Sequence, residues 1–365
     1  MARLIETKEE KETAILVGIT ISDVQDAEEA LDELEQLVKT AGALSVGRIM
    51  QKREAANRAT YVGKGKMEEL KELLIEKEAT GIVCDDELSP AQMKNLEEFL
   101  EVKIMDRTMV ILDIFAARAN TKEGKLQVEL AQLKYRSSKL IGMRSALSRL
   151  GGGIGTRGPG EKKLEVDRRV IRERITKLGK ELESVELHRK ELRKRRNKTE
   201  MPVVCIVGYT NAGKSTLLNH LTGAQVMELD QLFATLDPTT RVFRLANGTN
   251  IMLTDTVGFI RKLPHHLVQA FRSTLEEARY ADVILHVVDA SNPQMDQQMH
   301  TVYETLRMLE VGDKPIVTAF NKMDKLTEQP VLKDLKAERT IFISAKKNAG
   351  LEELKTVIEQ LADLR

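Results

Sequence analysis

The chain has 365 residues, of which 42% are hydrophobic and 31% are charged, with a formal net charge of +1; this is typical of a soluble protein with two or three domains. Aromatic residues make up only 4% and Trp is absent, which argues against a platform of stacked rings for single-stranded nucleic acid. No apolar stretch approaches the roughly 18 residues that a membrane helix needs, and no signal-peptide core opens the chain, so we expect a cytoplasmic monomer without a membrane span.

The first 106 residues alternate between strand and helix patterns. Strands are predicted at 13–20, 43–51, 81–84 and 102–105, and helices at 26–41, 66–78 and 90–100. Ser89 should cap the last of these helices, with Pro90 in its first turn. The alternation predicts a small α/β domain over residues 1–106.

Two segments of this domain leave alternatives open. Residues 61–66 read Tyr-Val-Gly-Lys-Gly-Lys, either a tight turn into a helix or a second nucleotide site, although the spacing is not that of a phosphate loop and no Ser or Thr follows the Lys. Residues 85–87, Asp-Asp-Glu, are either a metal site or an acidic loop before a capped helix. The preceding Cys84, like Cys205, lies in an apolar run that predicts a buried, reduced thiol.

Residues 107–200 have a purely helical pattern interrupted by a glycine-rich segment at 151–160. A leucine stripe marks the first helix, and the second begins near residue 161 and would reach roughly 55 Å if unbroken. Two long helices joined by one loop predict an antiparallel hairpin arm with the glycine segment at its tip.

This arm is strongly basic. Residues 131–200 contain 21 Lys and Arg against 9 Asp and Glu, a local charge of +12, so the rest of the chain carries −11. The alternative is an ordinary solvated helix face, but pairing along one helix cannot neutralise so one-sided an excess. The arm therefore predicts a polyanionic partner, which we take to be a nucleic acid.

Residues 201–365 predict a mostly parallel sheet with helices on both faces, a Ras-like P-loop domain. Strands are expected at 202–207, 241–246, 250–254, 282–289, 315–320 and 340–344, and helices at 214–222, 265–280, 295–309 and 351–364. Asn247-Gly248 should form the turn of a hairpin.

Residues 208–215, Gly-Tyr-Thr-Asn-Ala-Gly-Lys-Ser, form a complete GxxxxGK[ST] phosphate loop. Its backbone N–H groups cradle phosphates, Lys214 adds a charge near the β and γ oxygens, and the Ser215 hydroxyl ligates Mg²⁺. Residues 321–324, Asn-Lys-Met-Asp, then select the base, because a terminal carboxylate accepts both guanine N1–H and N2–H. The sequence therefore predicts a GTP-binding protein.

The remaining elements of a GTPase follow in the required order. Thr235 in the switch segment is expected to meet Mg²⁺ when the γ-phosphate is present, with Thr239 and Thr240 as alternatives. Asp255 should hold Mg²⁺ through water, and the Gly258 N–H should reach the γ-phosphate. We predict Lys214, Thr235 and Gly258 as catalytic residues and Ser215, Thr235 and Asp255 as magnesium ligands. The predicted GTP-binding set is Gly208, Tyr209, Thr210, Asn211, Ala212, Gly213, Lys214, Ser215, Thr216, Phe233, Ala234, Thr235, Leu236, Asp237, Asp255, Thr256, Val257, Gly258, Asn321, Lys322, Met323, Asp324, Ser344, Ala345 and Lys346.

Phe259 follows Gly258 at the position where many signalling GTPases carry a Gln that orients the attacking water. Phe cannot hydrogen-bond a water. We therefore predict slow hydrolysis by the protein alone, with the activating group supplied by another residue, a bound ion or a partner.

The chain resembles the HflX family of ribosome-associated GTPases over nearly its whole length. Beyond Phe259 and the segment 233–241, the matching stretches are 61–66, 123–133 and 152–161, and Arg157-Gly158-Pro159-Gly160-Glu161 is the most specific of them. The resemblance implies GTP-dependent binding to the large ribosomal subunit and splitting of stalled or idle ribosomes under heat or antibiotic stress. Many members carry a further C-terminal domain, whose contacts these 365 residues do not include.

With that partner, the glycine tip would enter an rRNA cavity near the peptidyl-transferase centre, or alternatively act only as a hinge between two helices. Candidate rRNA contacts are Arg157, Lys162, Lys163, Arg168 and Arg169. Two other functions stay open: a passive anti-association or hibernation factor, and an ATP-driven RNA remodeller that uses the N-terminal half.

Overall fold

The structure is a computed structural model that describes residues 11–20, 24–150, 159–196, 201–223, 231–270, 276–328 and 332–362. The chain divides into two compact units. The first comprises Met1–Ile114 and Gln132–Thr176, and the second comprises Phe115–Ala131 and Lys177–Arg365. The helical region contributes to both units, so the predicted domain boundaries after residues 106 and 200 stay a prediction.

The first unit contains a four-stranded, fully parallel sheet with the order β2-β1-β3-β4. Its strands are β1 (Thr13–Thr20), β2 (Leu44–Lys52), β3 (Gly81–Cys84) and β4 (Lys103–Asp106). The connecting helices are α1 (Val24–Thr40), α2 (Lys64–Glu76) and α3 (Pro90–Leu100). Apolar side chains of α2 and α3 pack with those of β1 and β3 into one core. The α/β alternation predicted from the sequence is confirmed.

Helix α3 begins where the sequence predicts. The Ser89 hydroxyl accepts from the backbone N–H of Gln92 at 3.2 Å, and the Gln92 side chain accepts from the Ser89 N–H at 2.8 Å. This reciprocal capping box satisfies two N–H groups that a helix start otherwise leaves without partners.

The two ambiguous segments of this unit have structural partners. Tyr61 and Asn57 exchange backbone hydrogen bonds of 2.7 and 2.9 Å, and Gly63 caps α2, which is the tight turn rather than a phosphate loop. Asp85 accepts from Arg107 at 2.8 Å, and Asp86 accepts from the Tyr61 hydroxyl at 2.6 Å. No group of three or more potential metal ligands occurs among the described residues, so nothing in them supports a metal at 85–87.

The second unit contains a six-stranded sheet with the order β10-β9-β8-β5-β7-β6. Its strands are β5 (Val203–Gly208), β6 (Thr239–Arg244), β7 (Asn250–Asp255), β8 (Val283–Asp289), β9 (Ile316–Asn321) and β10 (Arg339–Phe342). Neighbours pair in parallel except β6, which runs antiparallel to β7. The predicted P-loop fold is confirmed.

Four helices accompany this sheet among the described residues. They are α7 (Lys214–Thr222), α8 (His265–Ala270), α9 (Glu277–Tyr280) and α10 (Met295–Met308), and α11 (Leu351–Ala362) closes the unit as a fifth. The single helix predicted at 265–280 corresponds to α8 and α9, and residues 271–275 lie outside the described part. The predicted hairpin turn is present: Gly248 has a φ of +87° and its N–H donates to the Leu245 carbonyl at 3.0 Å.

Three helices of the middle region complete the description: α4 (Arg107–Arg118), α5 (Lys122–Leu150) and α6 (Pro159–Arg196). The glycine segment at 151–158 lies outside the described residues, so the proposed tip is not part of the structural account. None of the helices in the described ranges is sufficiently long and apolar to cross a membrane. Both cysteines are buried and free, as predicted, and burial raises the pKa of each thiol.

Candidate functional site

The phosphate loop joins the end of β5 to the start of α7, as the motif predicts. Gly213 has a φ of +96°, and a Cβ atom there would lie 2.3 Å from Asn321 Nδ2. Asn321 in turn donates to the Ala212 carbonyl at 2.8 Å. Only glycine allows both the left-handed backbone and this approach, because an L side chain would clash on either count. The loop is therefore fastened to the residue that opens the 321–324 motif.

Lys214 is the buried cation of this loop, with 6% of its surface exposed. Its Nζ donates to the Tyr209 carbonyl at 2.8 Å. Burial lowers the pKa of Lys214 to about 8, because desolvation disfavours the charged ammonium. Gly258 lies beside it, since a Cβ built on that glycine would be 3.0 Å from Lys214 Nζ. Two of the three predicted catalytic residues are thus adjacent.

Three oxygen-bearing side chains converge next to this lysine. Ser215 Oγ lies 2.7 Å from Asp255 Oδ2 and 2.8 Å from Thr235 Oγ1, and Thr235 Oγ1 lies 3.1 Å from Asp255 Oδ2. Among the competing threonines, Thr240 instead shares a hydrogen bond of 2.9 Å with Thr254. The geometry therefore favours Thr235 as the switch threonine.

The chemistry of this oxygen cluster fits Mg²⁺. Asp255 is fully buried, and its Oδ1 atom has no hydrogen-bond partner among the described residues. Burial raises the pKa of Asp255, although Lys214 and the two hydroxyl donors oppose the shift. A buried carboxylate oxygen without a partner is costly unless a cation or water completes it, and hard oxygen donors are the ligands Mg²⁺ prefers.

The base-selecting residues form the other end of the site. The Ala345 N–H donates to Asn321 Oδ1 at 2.9 Å, and the Ser344 hydroxyl donates to Asp324 Oδ1 at 2.6 Å. The latter bond holds the pKa of Asp324 below its usual value. The two separate sequence motifs at 321–324 and 344–346 are therefore one hydrogen-bonded structure, with the Asp324 carboxylate kept ionised for a guanine edge.

Phe259 is buried, with 2% of its surface exposed. Its backbone forms a bridge with Tyr209: the Thr210 N–H donates to the Phe259 carbonyl at 2.8 Å, and the Phe259 N–H donates to the Gly208 carbonyl at 3.1 Å. The residue therefore fastens the segment after Gly258 to the phosphate loop. Its ring offers no hydrogen bond to a water, as the sequence indicated.

These residues surround a cleft of about 390 Å³. Its predicted lining residues are Thr210, Asn211, Gly213, Lys214, Ser215, Thr216, Phe233, Ala234, Thr235, Thr256, Gly258, Asn321, Lys322, Asp324, Ala345 and Lys346. Other predicted residues stand behind the lining or beside it: Gly208, Tyr209, Ala212, Leu236, Asp237, Asp255, Val257, Met323 and Ser344. The Asp237 carboxylate is bound instead by Asn120 and Thr121.

Sequence reasoning missed three residues of the site. Gln231 and Lys325 line the cleft, and Asp289 pairs with Lys322 at 2.8 Å between Nζ and Oδ2. Asp289 ends β8, and ligands of parallel α/β sheets bind beyond the carboxyl ends of the strands. That position was the available signal for Asp289; Gln231 and Lys325 carry none in a single sequence.

The candidate rRNA residues are only partly described. Arg157 lies outside the described residues, and Lys162 and Lys163 lie on α6, where their side chains are not described. Arg168 donates to the Leu140 carbonyl of α5. Arg169 is exposed over 72% of its side chain and lies 3.8 Å from Glu173. The geometry thus leaves Arg169 available to a partner.

The sequence matches three protein families in succession. They are described as the N-terminal region of a GTP-binding GTPase at residues 28–116, its middle region at 118–196, and a 50S ribosome-binding GTPase at 203–322. The GTPase HflX of Lacrimispora saccharolytica is 61% identical over 361 residues, which cover 99% of this chain and 85% of that protein.

The chain belongs to the HflX family of GTPases. The Escherichia coli GTPase HflX is 44% identical over 94% of this chain and 81% of its own length. A crystal structure described as the SsGBP–GDP complex has a TM-score of 0.53 at 30% identity, covering 97% of this chain and 99% of that one. The chain is therefore an enzyme that binds and hydrolyses GTP.

Proposed function

We propose that this HflX-family GTPase binds the large ribosomal subunit in its GTP-bound state and splits stalled or idle ribosomes, with hydrolysis controlling its release. The observation that carries the proposal is the combination of a complete GTP cleft with a helical arm of local charge +12. The match of residues 203–322 to a 50S ribosome-binding GTPase family supports the same partner. We place the protein in the cytoplasm with its substrate.

The cleft residues divide the work on the nucleotide. Phosphate-loop N–H groups and Lys214 hold the β and γ oxygens, the Gly258 N–H meets the γ-phosphate, and Asp324 reads guanine. Ser215 and Thr235 would hold Mg²⁺ directly and Asp255 through water. When bound, the metal neutralises charge that develops on the phosphate oxygens. Because Thr235 belongs to the switch segment, its position depends on the γ-phosphate and reports whether GTP is present.

Arg169 and its neighbours on α6 supply charge for rRNA phosphates. Phosphate contacts release counterions, so affinity should fall steeply as salt increases. Arg169→Ala should reduce the slope of log affinity against log salt by about one contact. Arg307→Ala is the matched control, since Arg307 is exposed over 76% of its side chain and also pairs within its own helix; its slope should equal that of the unchanged protein.

The deciding experiment is sedimentation of whole ribosomes with the protein and GTP, a non-hydrolysable GTP analogue, or GDP. GTP and the analogue should both shift ribosomes to subunits, and with the analogue the protein should remain on the large subunit. Lys214→Ala should lose the shift. Binding without any shift would instead identify a passive anti-association factor and overturn the splitting proposal. ATPase and RNA unwinding that survive Lys214→Ala would favour the RNA remodeller.

A further inference from the structure

The switch segment is held by a second, unassigned set of residues in the same compact unit. Thr235 reaches into the cleft, but two residues later Asp237 faces the start of α5. Asp237 Oδ2 accepts the backbone N–H groups of Asn120 and Thr121, both at 2.9 Å, and Oδ1 accepts the Thr121 hydroxyl at 2.5 Å. One carboxylate thus takes three donors at a helix start, where the aligned peptide dipoles favour a negative charge.

The fit around this carboxylate is close. A Cβ atom on Gly124 would lie 2.4 Å from Asp237 Oδ1, so any larger residue there displaces the carboxylate or the helix. The Gly124 N–H donates to Thr121 Oγ1 at 2.9 Å, which orients the hydroxyl that binds Asp237. We call these four residues, Asn120, Thr121, Gly124 and Asp237, the α5 clasp.

The other side of Thr235 is anchored as well. Phe233 is buried and packs edge-on against Phe115 with ring centroids 4.7 Å apart, and Gln231 accepts from Arg118. Phe233 has a φ of +54°, a left-handed conformation that a bulky residue adopts only when its surroundings hold it there. Thr235 therefore lies between two fixed points that both depend on the segment 115–124.

We infer that the α5 clasp positions Thr235 for the metal and the γ-phosphate, which makes Asp237 a positioning residue for GTP hydrolysis. Two residues span at most about 7 Å, and Leu236 between them is buried, so little slack separates Asp237 from Thr235. Loss of the clasp should release Thr235 from Asp255 while the phosphate loop and the base-selecting residues keep their contacts. The inference rests on the GTPase activity and does not require a ribosome.

The test compares Asp237→Asn and Gly124→Ala with the unchanged full-length protein. Each variant should weaken binding of a non-hydrolysable GTP analogue about tenfold and raise the Mg²⁺ concentration for half-maximal turnover, because the lost contacts are charge-assisted. GDP affinity and the unfolding midpoint should change little. Thr121→Val keeps the side-chain shape and should show the same pattern more weakly.

Two matched controls separate positioning from general effects. Gly179→Ala is another helical glycine of this unit with nothing within 4 Å of its Cβ position, and Asp296→Asn is another carboxylate in the first turn of a helix. Both should retain the preference for the GTP analogue over GDP. The inference is overturned if Asp237→Asn and Gly124→Ala keep that preference within twofold, or if they weaken both nucleotides equally while lowering the unfolding midpoint.

Discussion

The two parallel sheets of this protein both carry buried carboxylates beyond the ends of their strands, but they use them differently. In the first unit, Asp85 pairs with Arg107 at 2.8 Å and Asp106 accepts from Leu88 and Met109 at 3.0 Å. In the second unit, Asp255 Oδ1 has no partner among the described residues, and burial depresses the pKa of neighbouring Lys214.

This difference distinguishes a structural polar cluster from a binding site. The first sheet completes its carboxylates with its own cations, N–H groups and hydroxyls, so no ligand is needed to stabilise them. The second sheet leaves a buried anion and a buried cation incompletely solvated, which costs stability that a bound magnesium nucleotide can restore. Substitutions at the two edges should therefore have opposite signatures.

The largest effect is expected for Asp255→Asn. Turnover of GTP should fall on the order of a hundredfold, as for loss of a preorganised charge at a reacting phosphate. The nucleotide-free protein should unfold at the same or a higher temperature, because burial already disfavours the carboxylate. Steady-state turnover and thermal unfolding check both halves; turnover within threefold of the unchanged protein would contradict the assignment.

Asp85→Asn should give the reverse pattern. Arg107 is 3% exposed and would keep only Glu33 as a carboxylate partner, so the free energy of unfolding of the first unit should fall by about 3 kcal/mol. Hydrogen exchange of β1 and β3 amides measures this loss, and GTP turnover should stay within twofold. A turnover defect without lost protection would show that the first edge takes part in catalysis.

Basal turnover should be slow and should increase about tenfold or more with large ribosomal subunits, equivalent to about 1.4 kcal/mol of barrier. The reason is that buried Phe259 cannot orient water, so the second edge still lacks an activating group. Single-turnover rates with and without subunits measure the increase. Fast turnover without any partner would show that the cleft is already complete.

The smallest effect concerns pH. Lys214 has a pKa of about 8 in the nucleotide-free protein, and phosphates should raise it, so GTP binding takes up a proton near pH 8.5. Affinity should then fall several-fold between pH 7.5 and 9.5. Stability of the nucleotide-free protein should rise over about pH 8 to 10.5, because the unfolded state binds more protons there. Calorimetry in buffers of different ionisation enthalpy detects the uptake, which Lys214→Met should abolish.

Local signals account for what the sequence predicted. The phosphate loop, Asp255 and the motif ending at Asp324 follow strand ends at fixed spacing, and Ser89 and Pro90 mark a helix start directly. Contacts between distant segments carried no such signal. Asp237 was predicted to bind GTP, yet its carboxylate binds residues 120 and 121, and that partner emerges only when the chain folds. For the same reason, the pairing of Phe259 with the phosphate loop was not foreseen.

The most direct test of the contrast between the two sheets is hydrogen exchange with magnesium and a non-hydrolysable GTP or ATP analogue. The GTP analogue should slow exchange at residues 208–216, 233–237 and 255–259 and leave 81–88 unchanged, and the ATP analogue at the same concentration should protect neither edge. Protection of 57–66 or 81–88 by the ATP analogue would contradict the account, because the first sheet would then hold a nucleotide site of its own.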